Sequence, residues 1–522
     1  MNPPSSELAD TVPYTYGYCD ELNPLRVALP LLANGFEPPT IGHACELGFG
    51  QGVSLNLHAA GAPVQWYGVD ANPDHLEFAQ QLATRAQTQL HLSSERFGEY
   101  CRRSDLPDFE FIGLHGVWSW ISDKDRATLA DFIDRKLKPG GVVYVSYNTL
   151  PGWATMLPMR NLMHAHLLAG DAAGTAGAPL ARIGEAIGFA QQVIAAQPGY
   201  ALVNPSLRER MQALSNEDLR YIAHEYFSEN WKPTSFSDVA AALGPTGLVY
   251  AGSADYRDHV DSINLTPAQR TLLAGIDDVR LRETTRDLCV NRSLRRDYWI
   301  KQPRMLDADA RFAALREQRV ILAIPETSVA MQVRGALGEI TLPEALYRPL
   351  LRTLASGHAT TLGEIEQRLQ PLGFTLQQIV EAIELLIATG QVFNAQHEER
   401  IREAQSAAAG MNAALCERAY DSGALPFLVS PVTGAGIAVP RLAQLFLLAQ
   451  MRGLTQAQQW AEFAGAALNR TGADSLAPQD AAAALQPSLS DAQLRDKATQ
   501  FAEVYLPVLR TLGVVIQPIP SR

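Results

Sequence analysis

The sequence predicts an α/β protein: a Rossmann-like sheet with a helical insertion, then a winged-helix-like domain, then a mainly helical C-terminal region. Three observations lead there. From residue 41 short apolar runs alternate with helical stretches, the pattern of parallel βαβ units. A glycine-rich turn, Gly48-Phe49-Gly50-Gln51-Gly52, joins the first run to a helix, and Asp70 ends the second run. With 522 residues the chain exceeds one core, since domains run to roughly 100–200 residues.

The expected strands are 43–48, 64–70, 90–94, 109–115 and 141–147. Between them, Asn72 as N-cap and Pro73 at the first helical position open a helix carrying Leu76, Ala79 and Leu82 on one face. Another helix, Asp123 to Leu137, stops at Lys138-Pro139-Gly140-Gly141. After Trp153 an Ala/Gly/Met-rich stretch leans helical, and a strand–helix–strand pattern then returns at 220–227 and 248–254. This reading makes 1–255 one cofactor-binding domain with a helical insertion at 154–215; a separate helical domain is the alternative.

Residues 256–304 read as a basic connecting segment, because 280–304 holds eight Arg and Lys against Glu283, Asp287 and Asp297. In 305–399, Thr361 with Glu364 and Thr375 with Gln378 fit capping boxes, and Gly390 closes the second helix before Gln391-Val392-Phe393. Helix, turn, helix, strand is a winged-helix pattern. Its would-be recognition helix carries Glu381 and Glu384 and no Lys or Arg, which argues against groove binding. Residues 400–522 are Ala/Leu/Gln-rich and mostly helical.

Composition narrows the functions. The net charge of −12 repels a phosphate backbone, so no nucleic-acid partner is expected. The N-terminal residues lack a basic n-region and an apolar h-region, and the longest apolar run, Leu442 to Met451, is too short to span a bilayer. A cytoplasmic location without a membrane partner is expected. The five cysteines lie far apart with no CxxC pair, so neither a metal site nor a disulfide framework is expected.

Chemistry concentrates at the glycine turn. Glycines there allow the backbone to approach a ligand, and an acid ending the next strand can accept ribose hydroxyls. A dinucleotide fingerprint fails, because it would need glycine at Val53 or at Leu55. Glu46 beside the turn would repel a pyrophosphate and welcome a sulfonium or ammonium. S-adenosylmethionine has that charge pattern.

At these residues the chain resembles the class I S-adenosylmethionine-dependent methyltransferases, over roughly 40–150. More narrowly, it resembles the bacterial group that carries a methyltransferase regulatory region and includes the rickettsial outer-membrane-protein lysine methyltransferases. The likeness rests on Pro13-Tyr14 and Tyr16, Glu46-Leu47-Gly48-Phe49-Gly50-Gln51-Gly52, His115 to Trp120, Ser146 to Trp153, His224-Glu225-Tyr226 with Trp231 and Pro233, and Arg296-Asp297. Two departures stand out: Phe49 replaces the usual Cys, and Ser54 the usual Asn. Phe49 is expected to reshape the cofactor floor.

The resemblance implies methyl transfer to a protein lysine, with a small molecule or glycan, or a catalytically silent cofactor-binding regulator, as alternatives. Glu46, Gly48, Phe49, Gly50, Gly52, Asp70, Ala71, His115 and Gly116 are the expected cofactor residues. His115, Tyr147 and Asn148 are the catalytic candidates, His115 either as base or as a holder of its loop. Tyr14, Tyr16, Trp118, Trp120 and Trp153 are the substrate-binding candidates; aromatic faces tolerate an ammonium. A protein substrate selected by the C-terminal half, and a homodimer, are the expected partners.

Overall fold

The computed structural model describes residues 15–172, 178–474 and 489–515. Pro13 and Tyr14 therefore lie outside the described residues. Five strands follow the expected order: β1 His43–Leu47, β2 Gln65–Val69, β3 Leu90–Ser93, β4 Phe109–Leu114 and β5 Leu137–Asn148. Helices Val53–Gly61, Pro73–Ala86 and Asp123–Lys136 connect them. The Asn72 side chain accepts from the Asp74 N–H at 2.9 Å, which starts the second helix as expected of an N-cap with Pro73 behind it.

The sheet has seven strands in the order β3-β2-β1-β4-β5-β7-β6, where β6 is Leu248–Ser253 and β7 is Leu294–Lys301. β1 to β5 pair in parallel, whereas β7 runs antiparallel between β5 and β6. It is a mixed, Rossmann-like sheet. The strand order reverses between β1 and β4, and ligands of open α/β sheets bind outside the carboxyl ends of the strands at such a point.

Two sequence expectations are corrected here. Residues 220–227 form a helix, Leu219–Phe227, not a strand. Buried Ile222, Ala223 and Phe227 follow the spacing of one helical face, and the Asp218 side chain caps the helix by accepting from the Arg220 N–H at 2.8 Å. The missing strand is β7, inside the segment expected to be a basic connector.

Its charges are internal. Arg295 is buried, donating to Asp287 at 2.7 Å, to Asp297 at 2.9 Å and to Glu283 at 3.1 Å. Counting charges along the chain does not reveal that these cations meet acids brought together by folding.

The helical stretch after β5 comprises Leu157–Ala172, Pro179–Ala195, Gly199–Val203, Ser206–Leu214 and Leu219–Phe227. It builds its own core from Trp153, Met156, Met163, Ile183, Ile187, Phe227 and Trp231. Further on, both expected capping boxes form, at Thr361 with Glu364 and at Thr375 with Gln378. The helices Leu362–Leu369 and Leu376–Ala388 lead into the strand Val392–Asn394, which pairs with Arg319–Leu322. That central strand comes from ahead of the helices and not from a wing hairpin after them.

The C-terminal region does not stand apart. Met411, Leu415, Leu428 and Val429 share one core with Val53, Leu57, Ala60, Leu82 and Ala86 of the first two sheet helices.

Candidate active site

The glycine turn is built from positive-φ residues at the carboxyl end of β1. Gly48, Gly50 and Gly52 have φ of 80°, 54° and 67°, the left-handed region that glycine enters without penalty. A Cβ on Gly48 would stand 2.6 Å from Val117 and one on Gly52 2.7 Å from Ala79, so both positions are closed to side chains. A Cβ on Gly50 would meet nothing within 4 Å, so the turn opens onto free space there.

Glu46 is buried, and its Oε2 has no hydrogen-bond partner. Burial, reinforced by the nearby Asp70 carboxylate, pushes its carboxyl well above the usual range. An unpartnered buried carboxyl beside an open glycine turn fits a cationic ligand and disfavours a phosphate. Asp70 braces the same turn: Oδ2 accepts from the Gly50 N–H at 2.8 Å, and Oδ1 from the Asn72 N–H at 3.0 Å. His75 Nδ1 lies 3.0 Å from Oδ1 as well. Ala71 follows, exposed.

Phe49 is corrected as a cofactor contact through its side chain. The ring packs in the core, against the space left by Gly68 in β2, where a Cβ would stand 2.9 Å from Phe49. Gly68 thus makes room for the larger residue. Ser54, the other departure, accepts from the Cys19 N–H at 2.8 Å and ties the N-terminal segment over the first helix.

His115 closes β4 with its Nδ1 2.9 Å from Tyr144 Oη, 3.1 Å from Cys19 Sγ and 3.4 Å from Ser146 Oγ. Burial lowers its pKa to about 4, so it is neutral and a weak proton acceptor near pH 7. The holding role suits this geometry better than the base role. Gly116, with φ of 62°, donates its N–H to Ser146 Oγ at 2.8 Å, fixing the loop that follows. Glu21 belongs to the same group: burial works against its ionisation, but Arg296, 3.4 Å away, and Arg26 outweigh it and keep the carboxyl low.

Side chains alternate along β5, so Tyr144, Ser146 and Asn148 share the site face and Tyr147 points the other way. Tyr147 is therefore corrected: its hydroxyl donates to Asp297 Oδ2 at 2.7 Å in the buried Arg295 network. The tryptophans also divide. Trp118 is 1% exposed within the sheet core and is corrected as a substrate contact. Trp120 packs against the helical unit, and Trp153 meets Trp231 edge-on at 4.7 Å and Tyr226 at 5.3 Å. Tyr16 meets Phe78 at a 45° tilt with 4.9 Å between ring centres, and its hydroxyl accepts from Arg418 at 3.4 Å. Those contacts tie the C-terminal region to the helix Pro73–Ala86.

Asn148 is brought against residues that the sequence offered only as part of the family likeness. Its backbone carbonyl accepts from the Thr234 N–H at 2.9 Å, and its Nδ2 is buried without a well-aligned partner. Glu225, on the helix Leu219–Phe227, faces it. Burial pushes the Glu225 carboxyl up to about 8, and a hydrogen bond with Asn148 opposes that shift. Trp120 Nε1, Trp231 Nε1 and Thr234 Oγ1 are likewise buried without partners. The motif His224-Glu225-Tyr226 was visible in the sequence, but a carboxyl's burial is a tertiary property. A separate cavity of about 520 Å³ lies against β6, lined by Arg282, Arg286, Arg292 and Asp258 among others and by none of the expected site residues.

Comparison with known proteins agrees with this geometry. Residues 45–145 match the family described as a methyltransferase domain, and residues 218–301 the predicted methyltransferase regulatory domain. An uncharacterized protein of Synechocystis, sll1526, is 37% identical over 446 residues, covering 84% of this chain and 87% of its own. An uncharacterized protein of Rickettsia prowazekii, RP028, is 30% identical over 135 residues, 25% of this chain and about half, 54%, of its own. Among solved structures, PKMT2 from Rickettsia typhi in complex with AdoHcy has a TM-score of 0.67 at 19% identity, over 97% of this chain and 99% of its own.

Proposed function

The chain belongs to the methyltransferases that carry a methyltransferase regulatory domain, and on that premise we propose that it methylates lysine side chains of a protein. The cofactor is S-adenosylmethionine. Gly48, Gly50 and Gly52 would cradle it, with Asp70 on the ribose side and Glu46 toward the charged end. When bound, it supplies an electrophilic methyl group on a sulfonium.

The observation that carries the acceptor class is the approach of the Glu225 carboxyl to Asn148 at the end of β5. Asn148 lies two strand spacings, roughly 10 Å, from the glycine turn on the same edge of the sheet. Glu225 comes from the helical unit, which holds Trp153 and Trp231 in its core and Trp120 and Tyr226 against it, with Arg160 4.5 Å over the Trp231 ring and Arg210 5.9 Å over the Trp153 ring. Aromatic faces beside a carboxyl suit a cation that must be desolvated before it can act as a nucleophile.

The test is transfer from labelled S-adenosylmethionine to a cell lysate, with protein, glycan and small-molecule fractions counted separately. Label in methylated lysine after hydrolysis of the protein fraction is the expected result. Label confined to either other fraction would overturn the lysine reading and leave the methyltransferase assignment standing.

A further inference from the structure

We propose that Glu225 receives the proton of the acceptor ammonium, with the Asn148 carboxamide holding the amine beside it. This rests on the lysine reading above. It gives the segment matched by the regulatory-domain family a direct part in the reaction, since Glu225 lies within residues 218–301.

The geometry is specific. Asn148 ends β5 in the catalytic sheet, Glu225 projects from the neighbouring helical unit, and the two face each other. Thr234, whose N–H bonds the Asn148 carbonyl, has a buried Oγ1 without a partner, and the Trp120 and Trp231 indole nitrogens are buried without partners as well. Unsatisfied buried polar groups cost a folded protein stability, and a ligand that supplies partners removes the cost. Tyr221 and Tyr226 lie close to this carboxyl, with Glu217 and Arg210 beside those tyrosines. From the neighbouring helix come Arg160, 4.5 Å over the Trp231 ring and bonded to Ser228 O, and His164, 2.9 Å from Tyr226 O. Neither these nor Arg210 is among the groups that shift Glu225, so an arriving ammonium brings a counter-charge.

In the step, an N–H bond of the ammonium breaks and an O–H bond forms on the Glu225 carboxylate. The freed lone pair forms the N–C bond while the electron pair of the breaking S–C bond stays on sulfur. The proton leaves Glu225 for solvent after the methylated lysine departs. Burial helps here, because a carboxyl near 8 is a closer match to a desolvated amine than an ordinary carboxylate.

The experiment uses the full chain saturated with S-adenosylhomocysteine and the probe Nα-acetyl-lysinamide, with Nα-acetyl-norleucinamide as the uncharged control. Wild type should bind the lysine probe at least tenfold tighter than the control, with affinity rising from pH 6 to 8. Glu225→Gln should lose that preference and the pH dependence while keeping S-adenosylhomocysteine affinity within about twofold. Glu225→Asp should recover part of both. Equal binding of the two probes by wild type, or an unchanged preference and pH profile in Glu225→Gln, would overturn the proposal. Lysate labelling outside lysine would sink the lysine reading separately, because the probe comparison needs no turnover.

Discussion

Asp70 holds the glycine turn through Gly50, and in the proposed cofactor placement it also faces the ribose. Removing it should therefore weaken cofactor binding by about 1.5–3 kcal/mol, the scale of hydrogen bonds to a charged group. Calorimetry on Asp70→Ala with S-adenosylhomocysteine checks this; unchanged affinity would take Asp70 out of the site. Two other site residues leave opposite marks on stability. His115 has its pKa lowered by burial from 6.5 to about 4, so the folded state loses stability relative to the unfolded as pH falls across that window. Glu225 has its pKa raised by burial from 4.5 to about 8, so its contribution is full below 4.5 and is lost as pH rises toward 8. Denaturant titrations should then show His115→Gln gaining on wild type toward pH 4 and Glu225→Gln gaining toward pH 8. Parallel pH profiles for both variants and wild type would mean that neither group is buried as described.

At the scale of elements, the decisive piece is β7, which closes the sheet against β5 and carries Arg295 and Asp297 into the interior. Thr149 donates its N–H to Ser293 O at 2.9 Å and Gly152 to Arg292 O at 2.7 Å, so the acceptor loop hangs on the residues just before that strand. Asp297→Ala leaves Arg295 and the Tyr147 hydroxyl short of a partner in a buried setting, and should cost about 3–5 kcal/mol of stability. A loss below about 1 kcal/mol in urea unfolding would show the network to be dispensable. The same elements show where the sequence was legible. The strands from His43 to Asn148 were readable because buried parallel strands are short apolar runs separated by capped helices. The glycine turn with Glu46 and Asp70 was readable because backbone conformation and charge act locally. What escaped depended on distant partners: Arg295 looked like a surface charge without its acids, and Leu219–Phe227 looked like a strand without its packed face. Trp118 and Trp120, two residues apart, were read as one pocket, although the chain turns between them and sends one to the sheet core and the other to the helical unit.

The whole molecule is joined through the helix Val53–Gly61, every residue of which is buried. One side of it faces the sheet through Leu55 and Ala59, and the other meets the C-terminal region through Val53, Leu57 and Ala60. Contacts there are too close to be incidental: Gln396 donates to Gly61 O at 2.8 Å and to Pro431 O at 2.7 Å, and a Cβ on Gly61 would stand 2.6 Å from the backbone of Gly434. Asn23, just past the N-terminal segment, donates to Thr433 O at 3.1 Å. The helix that starts at the cofactor turn therefore has the C-terminal region as half of its packing. Removing everything after residue 305 would expose that apolar face, so substrate selection by the C-terminal half has to be tested in the full chain. We expect one cooperative unfolding transition, in which intrinsic fluorescence and protection by S-adenosylhomocysteine report the same midpoint. Gly61→Ala should overpack the shared interface and lower that single midpoint by about 1–3 kcal/mol equivalent. Cofactor affinity should fall with it, because the displaced helix begins at Gly52 and Val53. Two separate transitions, or a Gly61→Ala variant in which only the C-terminal region melts early, would instead make the two parts independent bodies. The C-terminal region would then be free to move relative to the cofactor turn, and its influence on methyl transfer would have to pass through the acceptor and not through the fold.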